Sequence, residues 1–381
     1  MLNLHSLPVM MYHSVCNRKG RLYVSPQLLE KHCRALAANG WRGISLAEAE
    51  AYYIEGKPLA PKSCLFTFDD GYLDNFVYAE PILRKYGHCG VIFPIVHLVE
   101  KRDALVAPNS EDLCANPDRI KELEGVDTTI HRQKSGFHLP YFRFCSWEEL
   151  RQMQARGTMA AAPHSLTHGR VVVSLDVKQL RIPGEFHMHF FGTPPYHVPF
   201  GMPLFETDYA LSNRAYTVNP ELFDLVKSMV PQSFAAAKEF FADPKKRASV
   251  YKAIAALPYL GRRETEEEFR ERLFAEFTEC KNTFIKELGV EPRTFCWPWG
   301  GSCKESVEEA ERAGFKVLVC VSQADGKKRG VHLVRRFSVR YFTTPERLLQ
   351  LLRLFSIRPF IPLYSKGVKT WRKIKSLKSL L

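Results

Sequence analysis

The chain has 381 residues, 45% of them hydrophobic and 25% charged, which excludes a disordered or fibrous protein and leaves ample core for one large domain or two small ones. Its net charge of +13 suits an anionic partner, nucleic acid or a membrane surface, with a merely solvated basic end as the other reading. Ten scattered cysteines with no C-x-x-C pair exclude a zinc ribbon and a thioredoxin motif, and no apolar run is long enough to span a bilayer.

The opening residues lack a basic segment followed by an apolar core. No export signal is therefore expected, and the thiols are expected to be reduced in a cytoplasmic protein. Leu7 to Val15 reads as a first strand that ends in Tyr12-His13-Ser14. Ser25-Pro26 supplies an N-cap and a proline in the first helical turn, and Asn39-Gly40 closes that helix. Leu65 to Phe68 is a second strand, running into Asp69-Asp70-Gly71-Tyr72. A helix follows over Asn75 to Tyr86, with Pro81 as a candidate kink, and then a strand over Val91 to Val96. This alternation predicts a parallel α/β sheet or barrel.

The pattern breaks over residues 97–145, which read as an insertion or lid. Ser146 and Glu149 then form a capping box that opens a helix to Arg156, and Thr158 to Pro163 is a strand that delivers His164-Ser165-Leu166-Thr167-His168. A second excursion covers about 181–262. It is irregular to Tyr216 and then helical from Glu221 to Leu257, with breaks at Pro231 and Pro244, and it could form a helical cap over the site. Thr265 to Leu288 is an amphipathic helix with a Thr265…Glu268 capping box and Gly289 at its end. Strands are expected at Arg293–Trp297, Val317–Val321 and His332–Val339, and helices at Lys304–Ala313 and Pro345–Phe355.

Three strand ends carry the chemistry. Adjacent aspartates at a sheet edge repel each other unless they share a cation or a proton, although an Asp-Gly turn with one capping carboxylate would also give Asp69-Asp70-Gly71. His164 and His168 are four apart and share a face. Two imidazoles and a carboxylate with open positions make the ligand set of a catalytic divalent metal, whereas H-x-x-x-H alone is common by chance. Phe295 to Gly301 ends in Trp297-Pro298-Trp299-Gly300. Its backbone N–H groups could form an oxyanion site and its indoles a sugar-stacking wall, or it could be a proline turn with packed indoles.

The order T-F-D-D-G-Y, H-S-x-x-H, W-P-W-G, behind an opening P-V-M-M-Y-H-S-V, resembles the polysaccharide deacetylases, the NodB-homology or carbohydrate esterase 4 family. The resemblance covers roughly residues 7–96, 146–175 and 264–345. It implies a distorted (β/α)7-type barrel, here with two insertions within residues 1–355, and removal of N-acetyl groups from an amino sugar of a polysaccharide or glycolipid precursor. By position it implies that Asp70, His164 and His168 hold a metal, with zinc as first choice and nickel, cobalt or iron as the others. It makes Asp69 the general base and sets the oxyanion beside Trp297, Pro298, Trp299 and Gly300. Two departures stand out. Cys296 occupies the place where the family's third motif often has an arginine that orients the base, and the C-terminal Leu-x-His motif that supplies the acid is absent. Members with rearranged motifs take the acid from a Tyr-His context on the first strand, and His13 fits it. The departures keep open a catalytically silent glycan-binding relative.

Residues 356–381 are basic and contain no carboxylate side chain. Lys366, Lys369, Arg372, Lys373, Lys375 and Lys378 interleave with Val368, Trp371, Ile374, Leu377 and Leu381. The spacing fits a short amphipathic segment on an anionic bilayer, or a frayed tail. No nucleic-acid module is recognisable, so none is expected as a partner. The expected partner is an N-acetylated, lipid-linked sugar at the inner face of a membrane.

Overall fold

Short apolar runs become strands buried on both faces when helices cover a parallel sheet on each side. In the computed structural model, which describes residues 6–17, 20–101, 106–123, 130–132, 138–140, 143–184, 198–321, 326–328 and 330–357, that is what these runs do. The strands that matter for the site are β1 (Val9–Tyr12), β2 (Ser63–Asp70), β3 (Gly90–Pro94), β4 (Met159–Ala161), β5 (Thr294–Cys296), β6 (Val317–Cys320), β7 (Val331–Arg335) and β8 (Phe337–Ser338). All eight residues of β2 are buried, as are all five of β3.

The parallel ladders run β8-β1-β2-β3-β4 in one sheet and β5-β6-β7 in another. The two sheets are joined because β7 continues through Arg336 into β8. Just beyond β4 the Cys296 N–H donates to the Pro163 carbonyl at 3.0 Å. The protein is thus a mixed α/β structure around a parallel sheet, a distorted barrel whose ladder is interrupted between β4 and β5. The C-terminal ends of its strands share one rim, where open and closed parallel sheets place their sites.

The helix ends follow their sequence signals. Ser25 accepts from the Leu28 N–H ahead of the Pro26–Ala38 helix, and capping boxes are formed by Ser146 with Glu149 and by Thr265 with Glu268. The Glu266–Leu288 helix buries Phe269, Leu273, Phe277, Cys280, Phe284 and Leu288, a stripe at three- and four-residue spacing that fills the space behind β5. The helix expected over Asn75–Tyr86 is in two parts. Its first turn, Asn75–Ala79, is a π-helix that runs directly into the α-helix Glu80–Lys85, so Pro81, which has no N–H to give, follows the widened turn.

The first excursion contains a short helix, Ser110–Ala115, and a hairpin of Ile130–Arg132 with His138–Pro140. The second has helices Pro220–Met229, Phe234–Ala242 and Pro244–Ala255, broken at Pro231 and Pro244 as the sequence predicts. These helices enclose a core of their own, including Leu180, Phe200, Met202, Leu222, Val226, Phe241, Val250 and Ile254. A hairpin of Arg170–Val172 with Thr207–Tyr209 leads into it from the rim. All ten cysteines are free thiols. Among the described residues no helix is long and apolar enough to cross a membrane, and the basic segment after Pro359 lies outside the described residues.

One buried polar pair ties β1 to the last helix and has a pH signature. His32 is fully buried; its Nε2–H donates to the Thr343 carbonyl at 2.7 Å, and the Tyr12 hydroxyl donates to its Nδ1 at 3.2 Å. Both ring nitrogens are satisfied only in the neutral form, and burial lowers the pKa to about 4. The unfolded chain, with a histidine near its ordinary value, binds the extra proton first as pH falls. Stability is therefore expected to drop by about 3 kcal/mol between pH 6.5 and 4 through this residue and to level off below. Urea unfolding at a series of pH values should show this slope, partly flattened in His32→Asn; an unaltered slope in the variant would refute the assignment.

Candidate active site and metal centre

Strand β2 delivers its two final carboxylates to opposite sides, as strand alternation requires. Asp69 turns inward and meets Arg336, the residue between β7 and β8, in a two-pronged pair. Arg336 Nη1 donates to Oδ1 at 2.6 Å and Nη2 to Oδ2 at 2.8 Å. The same guanidinium donates to Thr67 Oγ1 at 2.9 Å and to Cys296 Sγ at 3.1 Å. Both partners are almost wholly buried. Burial alone would raise the Asp69 pKa, but Arg336, with His164 and His13 behind it, outweighs burial and holds the carboxyl well below the usual carboxylate range. Asp69 is thus an ionised acceptor whose orientation is locked by a planar fork.

The sequence analysis counted the base-orienting arginine as missing because Cys296 stands in its place. The structure corrects this: an arginine does face Asp69, from a different strand. Its signal was legible as the pair Arg335-Arg336 inside an otherwise apolar strand, since a charge buried at such a point requires a partner.

Asp70 turns the other way at φ 72°, and Gly71 follows at φ 79°, where a Cβ would lie 2.7 Å from Pro94 Cα. The Asp70 carboxylate faces His164 and His168, its Oδ1 lying 3.6 Å from the Nε2 of each. His164 Nδ1–H donates to the Cys296 carbonyl at 2.9 Å, which fixes the tautomer and leaves a lone pair on Nε2. Burial lowers the pKa of both histidines to about 4, so both rings are neutral at ordinary pH. The carboxylate oxygen and the two imidazole nitrogens lie within 4.8 Å of one another, and all three residues are buried. A lone pair facing a carboxylate at 3.6 Å makes no hydrogen bond. The donor set and its tautomer fit a divalent cation of the zinc type. Asp69, His164 and Cys296 also lie within such a radius, but Asp69 and the Cys296 sulfur are both engaged by Arg336.

His13, just past β1, places Nε2 3.8 Å from Asp69 Oδ2. Its backbone carbonyl accepts from Asn75 Nδ2 at 2.9 Å, a donor supplied by the π-turn. The Trp297–Gly300 turn lies across the rim from β2. Pro298 and Gly300 are buried, and Gly300 N–H donates to the Trp297 carbonyl at 3.1 Å. Of the two readings open for these indoles, Trp297 takes the packed one. It is fully buried, edge-on to Phe277 and Phe295, and its side chain belongs to the core. Trp299 is 38% exposed, with its ring 4.6 Å from that of His168 and nearly parallel to Tyr209. Among the described residues five non-glycine residues have positive φ, and four of them, Asp70, Ser165, His168 and Trp299, are in this site. Each such conformation costs about 1–3 kcal/mol, and their concentration here marks a functional site.

The rim therefore gathers the ionised Asp69 carboxylate, a candidate cation site of Asp70, His164 and His168, and His13. Residues 56–181 match the family model described as polysaccharide deacetylase, and the match spans Asp69, Asp70, His164 and His168. By sequence, this third of the chain is similar to the polysaccharide deacetylases. A segment of 136 residues is 39% identical to YxkH of Bacillus subtilis (strain 168), a protein that bears the same family name. This segment is 34% of the chain and 48% of that protein, so the chain spans about half the length of the curated relative it matches. The whole fold is similar to a de-N-acetylase from Aggregatibacter actinomycetemcomitans, with a TM-score of 0.58 at 18% identity over 91% of this chain and 99% of that one. It is similar also to IcaB from Ammonifex degensii, with a TM-score of 0.51 at 16% identity over 92% and 97% of the two chains. The Streptococcus pyogenes deacetylase PplD, solved in complex with acetate, gives 0.51 at 14% identity over 91% and 97%. At these identities the likeness establishes the deacetylase fold. Asp70, His164 and His168 lie in the part of the chain that matches by sequence. His13, Trp299 and Arg336 lie outside it.

Proposed function

We propose that the chain is a metal-dependent hydrolase that removes N-acetyl groups from an amino sugar of a polysaccharide or glycolipid precursor. The observation that carries this is the juxtaposition of two neutral imidazoles and the Asp70 carboxylate with a separate carboxylate, Asp69, held ionised by Arg336. Asp70, His164 and His168 would hold the ion. When bound, a divalent cation lowers the pKa of water and polarises an acyl oxygen.

The remaining work falls to the chain. Asp69, fixed by the guanidinium fork, accepts the proton of the attacking water. His13 stands on the other side of Asp69 and donates a proton to the departing amine, which must leave neutral. Backbone N–H groups of the turn around Trp299 are suited to stabilise the oxyanion. The acetate that occupies the similarly folded Streptococcus pyogenes enzyme is the product this reaction would release. Arg336 weighs against the catalytically silent alternative, because the base it orients is left competent.

The test is acetate release from N-acetylglucosamine oligomers by the full chain loaded with zinc, nickel, cobalt or ferrous iron. Asp69→Asn and His13→Ala are each expected to lose at least about 100-fold in kcat while retaining metal. Full activity in Asp69→Asn would sink the assignment, and silence with every metal would turn the reading to glycan binding. The basic residues after Pro359 support a further element of the proposal, a lipid-linked substrate met at an anionic membrane surface. The full chain should sediment with vesicles containing phosphatidylserine and a chain ending at Pro359 should not; equal sedimentation would remove the tail from the account.

A further inference from the structure

Arg170 differs in its partners from four paired arginines of the chain. Arg336 is paired with Asp69, Arg272 with Glu264, Arg270 with Glu308 and Glu309, and Arg262 with Glu268. Arg170 instead donates from Nε to Thr207 Oγ1 at 3.0 Å and from Nη2 to the Thr207 carbonyl at 2.5 Å. A hydroxyl and a carbonyl orient a guanidinium without neutralising it. No carboxylate lies within ion-pair distance of Arg170 among the described residues.

The place of this cation is as telling as its charge. Its guanidinium carbon stands 5.3 Å from the Tyr209 ring centre and 5.9 Å from that of Trp299. Those rings are within 4° of parallel, with centres 5.8 Å apart. Trp299 in turn adjoins the ring of His168 at 4.6 Å. A single indole therefore separates a candidate metal ligand from a half-buried cation that has no carboxylate partner among the described residues. The hairpin that carries Arg170 and Tyr209 is seated closely: a Cβ on Gly301 would lie 2.5 Å from the Tyr209 ring. Tyr209 thus rests directly on the turn that presents Trp299.

We infer that Arg170 and the Tyr209–Trp299 shelf form a subsite for an anionic group, carboxylate or phosphate, on a sugar adjoining the one that loses its acetyl group. The substrate class is then an acidic glycan. This rests on the deacetylase reading above and refines its substrate. The aromatic rings offer flat apolar surface for a sugar face, and the guanidinium offers a planar fork for a carboxylate or phosphate. Because Thr207 already holds the fork, little side-chain freedom is lost when an anion arrives. Partial burial keeps the attraction from being fully screened.

The experiment compares two hexasaccharides, one of N-acetylglucosamine alone and one in which N-acetylglucosamine alternates with glucuronic acid. Binding is read by tryptophan fluorescence on the zinc-loaded Asp69→Asn chain, and acetate release on the zinc-loaded chain with Asp69 intact. At low salt the acidic oligomer is expected to bind about tenfold more tightly than the neutral one, as for one charge-assisted hydrogen-bonded contact. That ratio should fall toward one as ionic strength rises past about 0.15 M. Arg170→Gln should bring the ratio to one at both salts, and Arg170→Lys should keep part of it. A ratio of one before substitution, or an unchanged ratio in Arg170→Gln, overturns the inference. Because each ratio is taken on one preparation, and the salt dependence needs no Arg170 variant, a fold defect in the variant cannot imitate the expected result. Acetate release without a preference would reject the subsite alone. A preference in binding with no acetate release under any metal would reject the catalytic reading and keep the subsite.

Discussion

Arg336→Met is expected to lose at least about 100-fold in acetate release, and to lose about 3–5 kcal/mol of stability. With the guanidinium gone, burial acts on Asp69 against only two histidines. The carboxyl pKa rises, and a protonated Asp69 cannot accept a proton. In the intact pair the folded-state pKa of Asp69 is depressed. Its contribution to stability is therefore complete above the unfolded value near 4 and lost only as pH falls through the lower folded value. In Arg336→Met that contribution is gone, and the acid limb of the pH–rate profile should move upward. Arg336→Lys keeps a charge but not the fork, and it should recover stability better than activity.

A sharper comparison moves the arginine. The Cys296 sulfur lies 3.1 Å from Arg336 Nη2 and 3.8 Å from Asp69 Oδ1, so the double variant Cys296→Arg/Arg336→Cys puts a guanidinium back within reach of the same carboxylate. It should regain more activity than Arg336→Cys alone. A second cycle, with Asp69→Asn and Arg336→Met made singly and together, should show strong coupling in urea unfolding, because removing both charges spares the cost of an unpaired buried ion. Near-normal activity in Arg336→Met would refute the positioning role.

His164→Ala and His168→Ala should each reduce bound zinc from about one per chain to less than about a tenth after dialysis, and acetate release to background. Each residue would supply a third of the candidate ligand set, and the Asp70 oxygen with one imidazole would be too few to hold an ion. Asp69→Asn, by contrast, should keep its metal, since Asp69 is engaged by Arg336 on the other side of the strand. Protons compete for the same nitrogens. Burial brings both histidines down to about 4, so they stay neutral over the range where a free imidazole would charge. Metal content measured by atomic absorption should hold at pH 5.5 and collapse near 4. Full metal content in both alanine variants would place the ion elsewhere.

The rim was legible because each of its elements is local in sequence. Leu65–Phe68 reads as a strand, Asp69 and Asp70 end it, and His164 and His168 follow the strand after the Ser146 capping box. Hydrophobic runs, caps and a four-residue spacing express short-range physics, and they survive into the fold. Arg336 was not found because its partner is 267 residues away, and only the ring of strands makes β7 and β2 converge on Asp69. Trp297 and Trp299 were given one role because turn chemistry is the same for both. Which indole goes under depends on the stripe of Phe277 and its neighbours. The Leu46–Glu55 helix had its signal in Ser45 and Glu48, a capping box that the structure forms in full and the sequence analysis passed over. Pro81 was read as a candidate kink in Asn75–Tyr86, and the irregular turn, Asn75–Ala79, is the one that contains Val77, four residues before that proline.

The separate core of the second excursion bears on the chain's ancestry. Leu222, Val226, Phe241, Val250 and Ile254 pack with one another and with Leu180, Phe200 and Met202, not with the strands of the barrel. A body that satisfies its own apolar side chains can be lengthened, shortened or exchanged in a lineage without repacking the ring of strands. Only its seat must be kept, and that seat is the hairpin of Arg170–Val172 and Thr207–Tyr209 resting on the turn at Gly301. The candidate site residues are consequently expected to be under one set of evolutionary constraints and the excursion under another. Diversification of this lineage should be concentrated between Val172 and Arg262 outside the Thr207–Tyr209 seat, where new surfaces can arise while the rim stays as it was.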